Sequence, residues 1–590
     1  MKRVINKILL WSFSLVFLVG CENMLQVDSD QMVRADKHDM SSDSLYSLFG
    51  ILAELQKLAD SYVIMGELRG DLLEIDENAD MYLKEIYNFD SYSVNNPYVG
   101  KRSDYYTIIN NCNYMINNID TAKVIKAEKP FLKAGAAATA IKAWAYMQLV
   151  LNYGDAIYFD KPVLSIKESE NIPAPIQMGE LFPILINELL PYKDVEPYTV
   201  GTFGGFQRSN LLFFPVPVIL GDLYLWLGQN ENAANVYRDL IYRNSYTITD
   251  TYVNRREVVG TGENMEFTDR IISNWQMIFM SKASPEFITT LAVSNEYEYL
   301  SRLDSLFVNY QLGTDEGYLI TSASINTPLR PTQVAINYFD STLYFHNYTD
   351  NTGTAYLTEY GDLRTNGTFG NVSMSSSLSS NLDLDDYTYV SKYITINRGG
   401  NIDFGYSNIQ EQAKEANIIV PYRIPTIYLR YAEAVNRLGK PKLAMAVLKH
   451  GLKNQTLINP RIFNASDIPD PLPNYMDFKD VRFNENVGIH TRGAGYTDRD
   501  TTFYVIKIDK PEPTLKDSIL FVEDLIQKEA VLELSYEGNR YHDLMRFAMF
   551  RDDNSYLADK VAAKFTDSAL GESVRTKLND RNNWYIKFAD

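Results

Sequence analysis

Apolar residues recur at helical intervals along much of this 590-residue chain. Tyr105, Ile108, Ile109, Cys112, Ile116 and Ile119 follow one another at steps of three, one, three, four and three, which puts them on one helix face. Phe131, Ala134, Ala138, Ile141, Ala145 and Leu149 repeat the period, and Asn152-Tyr153-Gly154 supplies a glycine stop. The two runs predict a helical hairpin. Leu181 to Leu190 reads as a helix with Pro183 in its first turn. Val218 to Leu227 leads through Gly228 into Ala233 to Tyr242, and Ile427 to Leu438 leads through Gly439 into Ala444 to Leu452. In both hairpins a glycine precedes by five residues an alanine that starts the next helix, as in a tetratricopeptide turn, where glycine ends one helix and a small residue lets the next pack closely. A last helix spans Val522 to Tyr536, is broken at Gly538, and resumes from Tyr541 to Phe550.

Between these blocks the pattern changes. Ile271 to Met280 and Tyr387 to Ile396 cluster β-branched and aromatic residues and predict strands. The serine-rich stretch from Asn371 to Asn381 predicts an exposed loop. Residues 244–420 and 455–517 therefore read as irregular, turn-rich insertions on a helical frame at about 40–243, 421–454 and 518–555. Insertions of that length commonly carry function.

The start of the chain is of another kind. Lys2, Arg3 and Lys7 precede thirteen uncharged residues, Ile8 to Gly20, which is the layout of a signal peptide. The run falls short of the roughly 20 apolar residues that cross a bilayer. It ends in Leu18-Val19-Gly20-Cys21, which resembles a bacterial lipobox. The expectation is a signal peptide at 1–20, a lipid such as palmitate on Cys21, a polar tether over 21–35, and one folded unit over 36–590 held to a membrane by its acyl chains. The only other cysteine is Cys112, so acylation of Cys21 leaves no intramolecular disulfide.

Composition narrows the function. The formal net charge of −19 repels phosphate backbones and argues against a nucleic-acid partner. The five histidines have no metal-ligand spacing, and no CxxC, Walker loop or GxSxG elbow occurs. Gly260-Thr261-Gly262 lacks the third glycine of a nucleotide fingerprint. The acidic cluster Asp71, Glu74, Asp76, Glu77 and Asp80 reads as a solvated face, and Asp383, Asp385 and Asp386 lack the glycine and terminal glutamate of a calcium loop. No catalytic residue, metal site or cofactor is assigned, and binding is favoured over catalysis.

Several segments together resemble the SusD/RagB family of surface lipoproteins. The fullest is Gln527 to Phe547, which is similar to the family's E-x-x-x-E-L-x-x-E-G-x-R-x-x-D-L-x-R signature through Glu529, Glu533, Leu534, Glu537, Gly538, Arg540, Asp543, Leu544 and Arg546. Arg69-Gly70-Asp71, Ala143-Trp144-Ala145-Tyr146, Tyr153-Gly154-Asp155 and Tyr428 to Ala434 add to it, whereas Lys142 stands where members commonly carry arginine. The resemblance implies a mainly α, SusD-like fold of four tetratricopeptide-like helix pairs with loop-rich and short β insertions. It also implies an outward-facing, lipid-anchored protein of the outer membrane that captures a glycan and passes it, as a lid, to a SusC-like TonB-dependent barrel, without being an enzyme. An oligopeptide cargo, a surface glycan-degrading enzyme and a pure assembly scaffold remain open alternatives.

A sugar site needs an aromatic platform and polar groups for the hydroxyls. Trp144, Trp226 and Trp275 lie in core-like patterns, so stacking is expected to fall on loop tyrosines. The first candidate is the turn holding Asn95, Asn96 and Tyr98, with Arg69 from the family segment; Tyr310, Tyr318 and Tyr344 follow. The acids Glu529, Glu533 and Glu537 with Arg540 lie at steps of four, four and three and are expected to form a helix-face ion network that holds the frame.

Overall fold

The computed structural model describes residues 44–77, 79–125, 127–170, 173–203, 207–249, 258–259, 264, 266–267, 275–280, 284–293, 301–315, 319–350, 353–372, 387–393, 418–460, 462–495 and 506–589. The leader, Cys21, the tether, Tyr318 and the aspartates at 383–386 lie outside them.

The helices that build the frame are α1 (Ser44–Gln56), α2 (Ala59–Glu67), α3 (Met81–Tyr87), α4 (Arg102–Asn118), α5 (Leu132–Tyr153), α6 (Met178–Leu189), α7 (Val216–Trp226), α8 (Asn230–Asn244), α9 (Ile424–Arg437), α10 (Pro441–Lys449), α11 (Leu515–Leu534), α12 (Arg540–Arg551), α13 (Asn554–Ala562) and α14 (Ser568–Leu578). Four consecutive pairs pack side by side: α4 with α5, α7 with α8, α9 with α10, and α13 with α14. The last pair follows the end of the helical pattern read from the sequence.

Local chemistry explains the pairs. Gly228 and Gly439 adopt φ of +69° and +77°, as the turns between paired helices require. Gly221 on α7 lets α8 come close, because a Cβ there would lie 2.3 Å from the ring of Tyr237. The Tyr237 hydroxyl in turn donates to Asp222 at 2.6 Å. Pro183 sits in the second turn of α6, later than the sequence suggests, and the helix runs through it from Met178. Trp144, Trp226, Trp275 and Trp584 are all buried, with Trp144 stacked on Phe214 at 5.0 Å between centroids.

The insertions add antiparallel two-stranded ribbons. Phe287–Ala292 pairs with Ile418–Arg423, Asn309–Asp315 with Leu319–Asn326, Leu343–Asp350 with Gly353–Tyr360, and Phe369–Val372 with Tyr387–Val390. The expected strand at 271–280 is corrected: Trp275–Met280 is a helix. Trp275, Ile278 and Phe279 are buried at steps of three and one, so tertiary burial on one helical face overrides their strand propensity.

Candidate functional site

The turn chosen from the sequence is a structural brace. The Tyr98 hydroxyl donates to Asp80 at 2.7 Å, and Asp80 also caps α3 by accepting from the Leu83 N–H at 2.9 Å. Asn96 donates to the Tyr82 carbonyl at 3.0 Å and to Glu85 at 2.9 Å, and accepts from the Tyr98 N–H at 3.0 Å. Tyr98 is 7% exposed and Asn96 1%, so neither offers a stacking face; of the three, only Asn95 is exposed. The amides that suggested ligand contacts satisfy the turn itself.

Arg69 and Tyr344 do not join it. Arg69 is buried, with its guanidinium 4.0 Å from the Tyr541 ring centroid and donating to the Trp584 carbonyl. Tyr344 is buried against Gly495, where an added Cβ would meet its ring at 2.5 Å. Tyr310 lies in a ribbon strand opposite Ile325. The acidic cluster is not one solvated face either. Asp71 is buried in a bidentate pair with Arg540 at 2.6 and 2.7 Å, and Glu74 binds Arg330 at 2.7 Å.

The signature acids do form an ion network, but their partners come from distant segments rather than from their own helix. Glu533 accepts from Arg364, Arg423 and Arg492, each at 2.8 Å. Glu529 accepts from Arg364 at 2.7 Å and lies 2.7 Å from His490 Nδ1. Glu537 accepts from Lys392 at 2.7 Å and Arg423 at 2.8 Å. Asp362 holds Arg364 through two bonds, and Glu286 holds Arg492 at 2.6 Å. All of these residues are buried. Burial alone would raise the Glu529 and Glu533 carboxyls, but the facing guanidiniums, with His490 beside Glu529, bring both down to about 2. The network fastens residues 286, 362–364, 392 and 490–492 of the insertions onto α11.

Open space lies elsewhere. A cleft of about 540 Å³ opens between residues 196–197 after α6, residues 208–211, the turn after α8, and residues 285–288. A smaller cleft of about 250 Å³ adjoins it along α7 and α8, and both share Glu196, Pro197, Pro215, Asn244 and Tyr246. Ser245 (φ +53°) ends α8 and turns the chain so that Tyr246 forms part of the wall. Burial, and then the Glu196 carboxylate, push the Tyr246 hydroxyl up to about 12 against the pull of Arg208, so it is a protonated donor at neutral pH. Across the rim, Arg243 pairs with Asp194. The larger cleft is lined from five segments, the fifth being Ile424, and no linear spacing marks them.

The cleft can hold a hydrogen-bonding ligand by side chains. Among the described residues no group of three or more His, Cys, Asp or Glu could hold a metal ion, and Cys112 is buried, its thiol pushed up to about 12 by burial.

No protein-family model matches the sequence, and no curated protein matches it either. Solved structures do match. A SusD superfamily protein from Bacteroides vulgatus aligns at TM-score 0.57 and 14% identity, covering 92% of this chain and 95% of its own. A surface glycan-binding protein A from Bacteroides uniformis aligns at 0.55 and 14%, covering 93% and 96%. A SusD superfamily protein from Bacteroides thetaiotaomicron aligns at 0.53 and 13%, covering 86% and 89%. Over 92% of its length, this chain has the fold of the SusD superfamily.

Proposed function

We propose that this protein is a surface-exposed, lipid-anchored nutrient-binding protein of the outer membrane. It captures a glycan and delivers it, as a lid, to a SusC-like TonB-dependent barrel. The observation that carries the reading is the SusD-superfamily backbone over 92% of the chain, with a surface glycan-binding protein among the matching structures. The lipobox-like Leu18-Val19-Gly20-Cys21 supports the anchor, and the polar segment from Glu22 to Asp30 supplies a tether on which a lid can swing. The absence of nucleophile and cofactor motifs in the sequence favours binding over catalysis.

An oligopeptide cargo is the second reading. It is favoured by the burial of all four tryptophans outside the leader, which removes the usual stacking platform for a sugar.

Cells carrying Cys21→Ala should release the protein from the membrane and lose growth on the cargo. Normal growth with the soluble variant would contradict the anchored-lid reading.

A further inference from the structure

Buried charges of the frame are paired, in the network on α11, in the Asp71–Arg540 pair, and in the bidentate Arg546–Glu433 pair at 2.8 Å, whereas the larger cleft presents exposed charges, Glu196 and Arg208, beside a half-buried phenol. In the cleft, Glu196, Arg208 and Asn210 make no side-chain hydrogen bond or ion pair among the described residues. The Tyr246 hydroxyl makes none there either, although it lies within the fields of Glu196 and Arg208. A half-buried tyrosine ordinarily finds a partner for its hydroxyl.

Main-chain groups of Tyr246, Glu286 and Phe287 beside the cleft are in the opposite state. The Tyr246 N–H donates to the Ile241 carbonyl at 3.0 Å, and the Tyr246 carbonyl accepts from the Tyr428 hydroxyl at 2.7 Å. The Glu286 carbonyl accepts from the Ile424 N–H at 2.9 Å, and the Phe287 N–H donates to the Ser284 carbonyl at 3.1 Å. A peptide held as an added strand needs free main-chain groups, and these are engaged. What remains is a carboxylate acceptor, a guanidinium donor, a carboxamide and a phenol beside the apolar walls of Pro197 and Pro215. Vicinal hydroxyls on a sugar ring both donate and accept, so they match such a set. A net charge on the ligand gains nothing, because Glu196 and Arg208 oppose each other. The volume of about 540 Å³ falls within the roughly 300–1,000 Å³ of ligand sites.

We propose that this cleft binds a neutral oligosaccharide, with Tyr246, Arg208, Glu196 and Asn210 pairing its hydroxyls. The assignment rests on the capture reading above and names the cargo class and the place.

Affinity electrophoresis of the full chain through soluble starch, mixed-linkage β-glucan, arabinoxylan, galactomannan and polygalacturonate tests it. Arg208→Ala and Tyr246→Phe serve as variants, with thermal melts as folding controls. Arg208 is exposed, and Tyr246→Phe removes one oxygen, so both variants should fold. The expected result is retardation by one of the neutral polysaccharides, weakened about tenfold or more in each variant, as loss of a charge-assisted or buried polar contact implies. Retardation of the wild type with both variants unchanged overturns the cleft while capture stands. Retardation by polygalacturonate alone overturns the neutral class. Retardation by none of the five overturns glycan capture itself.

Discussion

Glu67 accepts the backbone N–H of Gly538 at 2.8 Å, joining the end of α2 to the turn before α12 across 471 residues. The same carboxylate takes the N–H groups of Tyr536 and Asn539, each at 3.0 Å, so one acid satisfies donors at the buried start of a helix. Gly66 packs on this turn so closely that a Cβ would lie 1.9 Å from the Gly538 carbonyl oxygen. Gly66→Ala should therefore destabilise the protein by about 1–3 kcal/mol or more, as overpacking does. A urea midpoint equal to the wild type's would count against this close approach.

The α11 network predicts strong coupling of the insertions to the frame. Glu533→Ala leaves Arg364, Arg423 and Arg492 without their shared acceptor in a buried site. Removing one partner of a buried pair costs about 3–5 kcal/mol. Limited proteolysis should then cut the variant within residues 244–420 well before the wild type, and identical digestion rates would show that the insertions are held by other contacts.

Acid should unfold the protein, and the sign follows from three groups. Glu529 and Glu533 have carboxyls lowered to about 2, so the stability they contribute is complete above the ordinary glutamate value near 4.5 and is lost as pH falls toward 2. His542, lowered to about 3 by burial and then by Arg69, is buried neutral, so its contribution is complete above about 6.5 and is lost on the way to 3. Glu67 acts in the other direction, its carboxyl raised to about 7 by burial, so it offsets the loss from His542 above pH 4.5, and denaturant midpoints should fall mainly between pH 4.5 and pH 3. Glu529→Gln should be less stable than the wild type at pH 7 yet lose less between pH 4.5 and pH 3. An equal loss in both proteins would contradict the assignment.

The turn around Tyr98 should prove structural. Tyr98→Ala should lower stability by about 3–5 kcal/mol, the usual loss for a buried aromatic, while leaving any glycan affinity at the wild-type value. A folded Tyr98→Ala protein that binds no ligand would instead return this turn to the binding surface.

The helical frame was legible because burial repeats every three to four residues within each helix, and because Gly228 and Gly439 mark turns that need positive φ. The buried tryptophans were legible for the same reason. The partners of Glu529, Glu533 and Glu537 were not. Arg364, Arg423 and Arg492 lie 41 to 169 residues from Glu533, and a step of four along α11 says only that Glu529 and Glu533 share a face. Trp275 misled because an aromatic-rich run looks alike as a strand and as one buried helical turn. An asparagine-rich turn with an aromatic serves equally to bind a ligand or to brace itself, and only the burial of Tyr98 and its bond to Asp80 favour the brace. The cleft of Tyr246, Arg208, Glu196 and Asn210 leaves no linear trace, since three separate segments supply these four residues.

Purification of the tagged full-length chain from detergent-extracted outer membranes tests the central claim most directly. The protein, acylated at Cys21, should co-purify stoichiometrically with a TonB-dependent β-barrel. Recovery of the protein alone, or in the soluble fraction with Cys21 unmodified, would contradict it.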